Sequence, residues 1–135
     1  MEPVTPQEVY EIIRGIKDPE HPATLEELGV VSPSDVSVST IDGRLHITVD
    51  YAVTVPDCQF VVMLGLSIRV ALVLAFPADT YIFVRCKTGT HDSAEQLDKQ
   101  INDKERASAA LRNPRISALV DECLADVRDV LACRE

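Results

Sequence analysis

Thr54-Val55-Pro56-Asp57-Cys58, followed by the nearly unbroken apolar run from Phe60 to Phe76, is the stretch that decides the fold. The run is interrupted only by Gly65, Ser67 and Arg69, and it falls short of the roughly 20 clean apolar residues that a bilayer requires. It predicts instead a helix buried on almost every side. Pro56 stops a preceding strand and Asp57 is placed to cap the free backbone N–H groups, which leaves Cys58 in the first helical turn. A thiol there feels the positive helix end and ionises more readily, while the Asp57 carboxylate disfavours a second negative charge beside it.

Two strands are expected before this helix and one after it. Val36, Val38 and Thr40 alternate with polar residues, Asp42-Gly43 supplies a tight turn, and Leu45, Ile47, Val49 and Tyr51 alternate on the way back, so the segment predicts a β-hairpin. After Pro77-Ala78-Asp79, residues Thr80 to Cys86 have the β-branched and aromatic content of a strand in a sheet interior. Strand, helix, strand implies a right-handed crossover with the second and third strands parallel. In a parallel pair both strands end at one edge, where ligand and catalytic sites gather. Cys58 is therefore expected near the loop Lys87-Thr88-Gly89-Thr90-His91.

Thr5-Pro6-Gln7-Glu8 predicts an N-terminal helix with Thr5 as cap and Glu8 closing a capping box, and Val9, Ile12, Ile13 and Ile16 recur at helical spacing. Lys17-Asp18-Pro19-Glu20-His21-Pro22 breaks it with an extended loop dense in ionisable groups, which suits either a site or a solvated connector. Thr24-Leu25-Glu26-Glu27-Leu28-Gly29 predicts a short helical turn with its own T-x-x-E box. Ser93 to Leu111 carries a weaker apolar stripe (Ala94, Leu97, Ile101, Ser108, Leu111) beside a charged cluster from Lys99 to Arg106. Asn113-Pro114 starts a terminal helix whose apolar face runs from Ile116 to Leu131. The fold class expected is α/β, more exactly put as α+β: a small mixed sheet made of a β-hairpin and a βαβ crossover, flanked by helices, with a C-terminal helix.

The 135 residues suit a single domain with a sizeable core. With 13 basic against 22 acidic residues the net charge is -9, the wrong sign for wrapping nucleic-acid phosphates. There is no N-terminal apolar signal segment and no lipidation signature, so a cytoplasmic or nuclear protein is expected. Cys58, Cys86, Cys123 and Cys133 are widely spaced with no C-x-x-C pair, which predicts reduced thiols rather than a disulfide framework or a zinc ribbon. Cys123 lies on an apolar stripe and is expected in the core, and Cys133 is expected as a free tail thiol.

A cysteine beside a histidine leaves two chemistries open next to a purely structural reading, a packed cysteine and a loop-capping histidine. Cys58 is a nucleophile with His91 as base and Asp18 or another carboxylate as orienter, in a thiol-dependent enzyme. Alternatively Cys58 and His91 are metal ligands, joined by Glu95 one helical turn after His91 or by Glu20 or His21, a set that suits transient zinc or iron.

Asp18-Pro19-Glu20-His21-Pro22, Thr24-Leu25-Glu26-Glu27-Leu28, Pro56-Asp57-Cys58, Gly65-Leu66-Ser67-Ile68, Gly89-Thr90-His91 and Lys99-Gln100-Ile101-Asn102-Asp103-Lys104-Glu105-Arg106 occur in this order over nearly the whole chain. Together they resemble the eukaryotic cytosolic iron–sulfur assembly targeting adaptors, relatives of bacterial Suf-system maturation factors and of the phenylacetate-oxygenase D subunit. The resemblance implies a non-enzymatic role beside a WD40-propeller subunit and a HEAT-repeat scaffold, delivering [4Fe–4S] clusters to cytosolic and nuclear apoproteins. It also implies that a homodimer, including exchange of a terminal segment, is within the family's range. By the same likeness Cys58 matches the family's reactive cysteine, Asp18, Glu20 and His21 match its acidic loop, Thr90 and His91 match its glycine-threonine-histidine turn, and Glu105 and Arg106 close its final motif. No stable cofactor is expected; a transient iron–sulfur cluster or zinc is the candidate, with Cys58, His91 and Glu95 as the metal ligands that the residue types and spacing offer. One departure is Asp57, where the family often carries histidine.

Overall fold

The computed structural model describes residues 4–17, 23–52, 58–76, 79–86, 101–102 and 104–125. Among these, the elements in chain order are α1 (Pro6–Ile13), a 3-10 turn (Pro33–Asp35), β1 (Val36–Ile41), β2 (Arg44–Tyr51), α2 (Cys58–Ala75), β3 (Tyr81–Cys86), α3 (Lys104–Arg112) and α4 (Pro114–Cys123). The sheet order is β1-β2-β3, with β1 antiparallel to β2 and β2 parallel to β3. This is the α+β arrangement that the hairpin and crossover predict.

The hairpin closes on Asp42 and Gly43, both at positive φ (52° and 77°). That is the type I′ geometry whose twist matches the strands, and Gly43 adopts it without a Cβ penalty. Alternation then divides the sheet. Val36, Ile47, Val49, Tyr51, Ile82, Val84 and Cys86 are buried, whereas Ser37, Ser39, Ile41, Arg44, Tyr81 and Arg85 point to the opposite, exposed face. Asp50 and Arg85 are register partners on that face and form a bidentate pair at 2.8 and 3.0 Å.

The core is α2 laid on this sheet and flanked by α1 and α4. Leu64, Leu66, Ile68, Ala71 and Leu72 are fully buried, each large side chain contributing about 1.5–3 kcal/mol relative to exposure. Val73 and Leu74 are each more than half exposed, while Leu72 before them and Phe76 after them are buried, so α2 is buried on most sides and open at this patch. No helix among the described residues is long and apolar enough to cross a membrane. Ser67, buried within α2, donates to Met63 O at 2.9 Å, which satisfies its hydroxyl inside the helix.

One expectation fails. Tyr81–Cys86 has the composition of an interior strand, yet β3 lies at the sheet edge and β2 is the centre. The apolar content of β3 is explained by side chains that close this edge. The Asn102 amide donates to Val84 O at 2.7 Å and accepts from Val84 N at 2.9 Å, in the manner of a neighbouring strand. Arg69 of α2 donates to Ile82 O at 3.0 Å and reaches Asn102 Oδ1 at 3.4 Å. Burial pulls the Arg69 guanidinium below its ordinary pKa, with Tyr81 opposing, and an arginine keeps its charge in such a setting.

Thr5 caps α1 by accepting from Glu8 N, and Asn113 caps α4 by accepting from Arg115 N, with Pro6 and Pro114 in the first turns. Thr24 to Gly29 forms the expected helical turn, with Leu28 N donating to Thr24 O at 3.0 Å, and its box is complete: Thr24 N donates to Glu27 Oε1 and Glu27 N to Thr24 Oγ1, both at 3.2 Å. The 3-10 turn was not anticipated. Its signal is Ser32-Pro33-Ser34-Asp35, in which Asp35 Oδ2 accepts from Ser32 N at 3.0 Å.

Candidate functional site

The parallel register sets the geometry. Tyr51 pairs with Cys86, so β2 and β3 end side by side, both residues buried. Cys58 is the first residue of α2, and only residues 52–57 separate it from the end of β2. The helix therefore starts at the carboxyl edge of the sheet. Seven residues on, or about 10 Å along the axis, Gly65 presses against the sheet. A Cβ on Gly65 would lie 2.8 Å from the Tyr51 hydroxyl and collide with the Ile101 side chain. Glycine is required there by this close approach, not by its backbone angles.

A run of backbone hydrogen bonds links the residues that flank 18–22 to the end of β2. Lys17 and Thr24 form an antiparallel bridge that closes the base of residues 18–22, and Leu25 N donates to Ile16 O at 2.8 Å. Val30 N then donates to Leu25 O at 3.0 Å, and Ala52 N to Val30 O at 2.9 Å. Lys17 N donates to Cys123 O at 3.0 Å, which binds the same base to the end of α4. The residues flanking 18–22 and 53–57 thus belong to one hydrogen-bonded network. The segment 87–100 leaves from Cys86 beside Tyr51 and returns at Ile101 and Asn102, which sit on Gly65 and Val84. Its two ends are anchored two residues apart on β3.

Side chains fasten this network. The Tyr10 hydroxyl donates to Glu26 Oε2 at 3.0 Å, and Arg14 lies 3.5 Å from Glu26 and 3.2 Å from Glu11. Burial first, and the bond to Glu26 second, push the Tyr10 phenol above its ordinary pKa. The two carboxylates of Thr24-Leu25-Glu26-Glu27-Leu28 are accounted for: Glu26 holds the turn to α1 and Glu27 caps Thr24.

Asp18, Glu20, His21, Thr90, His91 and Glu95 lie outside the described residues, as do Asp57 and Cys133. Cys58 is placed by its backbone at the start of α2, and Glu105 and Arg106 by theirs in the first turn of α3, where Glu105 is exposed. Cys86 and Cys123 are buried and in no disulfide, Cys123 packing in the core as its stripe predicts. Among the described residues no group of three or more His, Cys, Asp or Glu is gathered to hold a metal ion. Sequence reasoning missed Tyr51, Arg69 and Asn102. A lone arginine within an apolar helix was the available signal for the second, and an asparagine centred in a long polar motif for the third.

Some of the motif blocks are thus structural: Glu26 and Glu27 fix a turn, Gly65 a helix–sheet contact and Asn102 a strand edge. The others fall in or beside segments whose bases meet at the carboxyl edge. Residues 6–84 match the family described as iron-sulfur cluster assembly protein. The chain belongs to the MIP18 family. Among the relatives, Protein AE7 of Arabidopsis thaliana is 43% identical over 123 residues, covering 91% of this chain and 77% of that protein. The MIP18 family protein C144.16 of Schizosaccharomyces pombe is 40% identical over 125 residues, 92% of this chain and 70% of its own length. The mouse protein named cytosolic iron-sulfur assembly component 2B is 41% identical over 118 residues, with coverages of 87% and 71%. A role in iron–sulfur assembly follows from membership of the MIP18 family, and a cytosolic setting is that of the mouse relative.

Proposed function

We propose that this protein is a non-enzymatic adaptor of cytosolic iron–sulfur protein assembly that helps hand [4Fe–4S] clusters to cytosolic and nuclear apoproteins. The observation that carries this reading is the near full-length likeness to a relative named cytosolic iron-sulfur assembly component 2B. Its partners are a WD40-propeller subunit and a HEAT-repeat scaffold, together with apo iron–sulfur clients. A homodimer formed by exchange of a terminal segment belongs to the same reading.

Cys58 is the working residue. Its position at the start of α2 supports thiolate character, since the helix end carries partial positive charge, and Asp57 opposes it. A thiolate is a soft ligand suited to iron or zinc, with His91 and Glu95 as harder partners. The cluster is cargo, held in passing. Asp18, Glu20, His21 and Thr90 supply polar contacts around that thiol, and Glu105 and Arg106 a charged surface for protein partners. The hydrogen-bonded residues that flank 18–22, 53–57 and 87–100 support such a grouping.

The test is affinity capture of tagged wild-type and Cys58→Ala chains from cell extract, both first checked for equal folding, alongside rescue of a cytosolic iron–sulfur enzyme in depleted cells. Wild type is expected to bring down the propeller and HEAT-repeat subunits. Cys58→Ala is expected to retain those subunits, lose the clients and fail to rescue. Full rescue by Cys58→Ala, or capture of neither subunit by wild type, overturns the reading.

A further inference from the structure

The two edges of the sheet are finished differently. Asn102 and Arg69 occupy the backbone groups of β3, whereas the outer edge of β1 has no hydrogen-bond partner among the described residues. In a two-residue hairpin Ile41 and Arg44 exchange the first pair of ladder bonds, so Ser37, Ser39 and Ile41 spend their backbone groups on β2. The N–H and C=O of Val38 and Thr40 therefore point away from the sheet. Val36 N is taken by Pro33 O, which ends the 3-10 turn and leaves the open edge starting at Val36 O. Natural edges are usually blunted by lysine, proline, a bulge or a cover. Val36-Ser37-Val38-Ser39-Thr40-Ile41 has no charge and no proline, and its register with β2 is unbroken.

We propose that β1 is a docking edge for an extended peptide of a partner protein, one with a β-branched centre and Lys or Arg at its flanks. Main-chain bonds to Val38 and Thr40 supply the pairing, in the mode of β-strand addition. Ile41, 52% exposed, offers an apolar anchor, and Ser37 and Ser39 leave room for larger side chains of the added strand. The charge of the ligand follows from the chain as a whole, which carries a net charge of -9 with no basic residue inside β1. At the ends of the strand the Asp35 carboxylate is held by Ser32, and Asp42 is followed at the turn by Arg44, the register partner of Ile41. A second copy fits less well. Edge-to-edge pairing of two copies brings two chains of net charge -9 together.

The experiment is selection of a displayed seven-residue peptide library on the full chain and on Thr40→Pro, followed by titration of the enriched peptide. Thr40 is exposed and its N–H faces outward, the position where an edge strand tolerates proline, and a thermal midpoint close to wild type confirms the fold. Enriched peptides are expected to alternate β-branched residues, to carry Lys or Arg at their ends, and to bind Thr40→Pro at least about tenfold more weakly. A peptide N-methylated at its pairing positions is expected to lose binding to the unaltered protein, which keeps the test independent of the variant's folding. Enrichment of acidic or patternless peptides, binding indifferent to Thr40→Pro and to N-methylation, or no enrichment at all would overturn the proposal. So would a dimer in sedimentation that Thr40→Pro dissociates, since that assigns the edge to a second copy.

Discussion

β3 and β1 are both edge strands of six residues, yet among the described residues one is sealed by side chains and the other is bare. The sealed edge is closed by Asn102, which bonds both backbone groups of Val84, and by Arg69 of α2, which bonds Ile82 O. The other edge lies across β2 from it, and among the described residues no side chain or segment bonds to it. An edge strand thus either spends its backbone groups on fixing a loop or leaves them available, and in this fold each choice is made once.

The largest effect is expected from Gly65→Leu, which drives a side chain into Ile101 and the Tyr51 hydroxyl and so pushes the sealing segment off β3. Overpacking of this kind costs about 3 kcal/mol, well above the ~1 kcal/mol that replacing a helical glycine returns. Denaturant unfolding measures it, and a neutral result would show that the two elements are not in contact. Asn102→Ala comes next. It orphans both backbone groups of Val84, so a loss of about 2 kcal/mol is expected, with faster hydrogen exchange at the Val84 amide. Exchange unchanged at Val84 would break the contrast between the edges.

Asp50→Ala removes one partner of the Asp50–Arg85 pair on the exposed face. Because Arg85 is about half exposed, solvent screening holds the loss to about 0.5 kcal/mol, and it should vanish at high salt. Thr40→Pro is expected to change stability least, by under about 0.5 kcal/mol, because it touches no ladder bond. A cost equal to that of Asn102→Ala would mean that β1 is engaged within the fold and that its edge is not bare.

Local patterns made much of this fold legible. The alternation from Val36 to Tyr51, the Asp42-Gly43 turn and the apolar run ending at Phe76 are each local signals, and chirality of the crossover then fixes β2 and β3 as parallel. The place of β3 was not legible, since its cover comes from Arg69 and Asn102, residues 13 and 18 positions away from Ile82 and Val84. Composition registers that a strand is covered but not whether a strand or a side chain covers it. For the candidate site, the start of α2 at Cys58 followed from Pro56-Asp57. The common rooting of the loops did not, because backbone bonds such as Ala52 to Val30 and Lys17 to Cys123 carry no side-chain signature.

The most direct test of the account is a disulfide trap between Cys58 and a cysteine introduced by His91→Cys, compared with one introduced by Asp42→Cys. Asp42 lies at the opposite end of β2 from Tyr51, eight strand residues or roughly 25 Å away. Under mild oxidation of the full chain, with the bridges read by mass spectrometry, the account predicts a rapid bridge between positions 58 and 91 and none between 58 and 42. No bridge at 91, or bridging at equal rates to both positions, would contradict the convergence of the loops on which the proposed site depends.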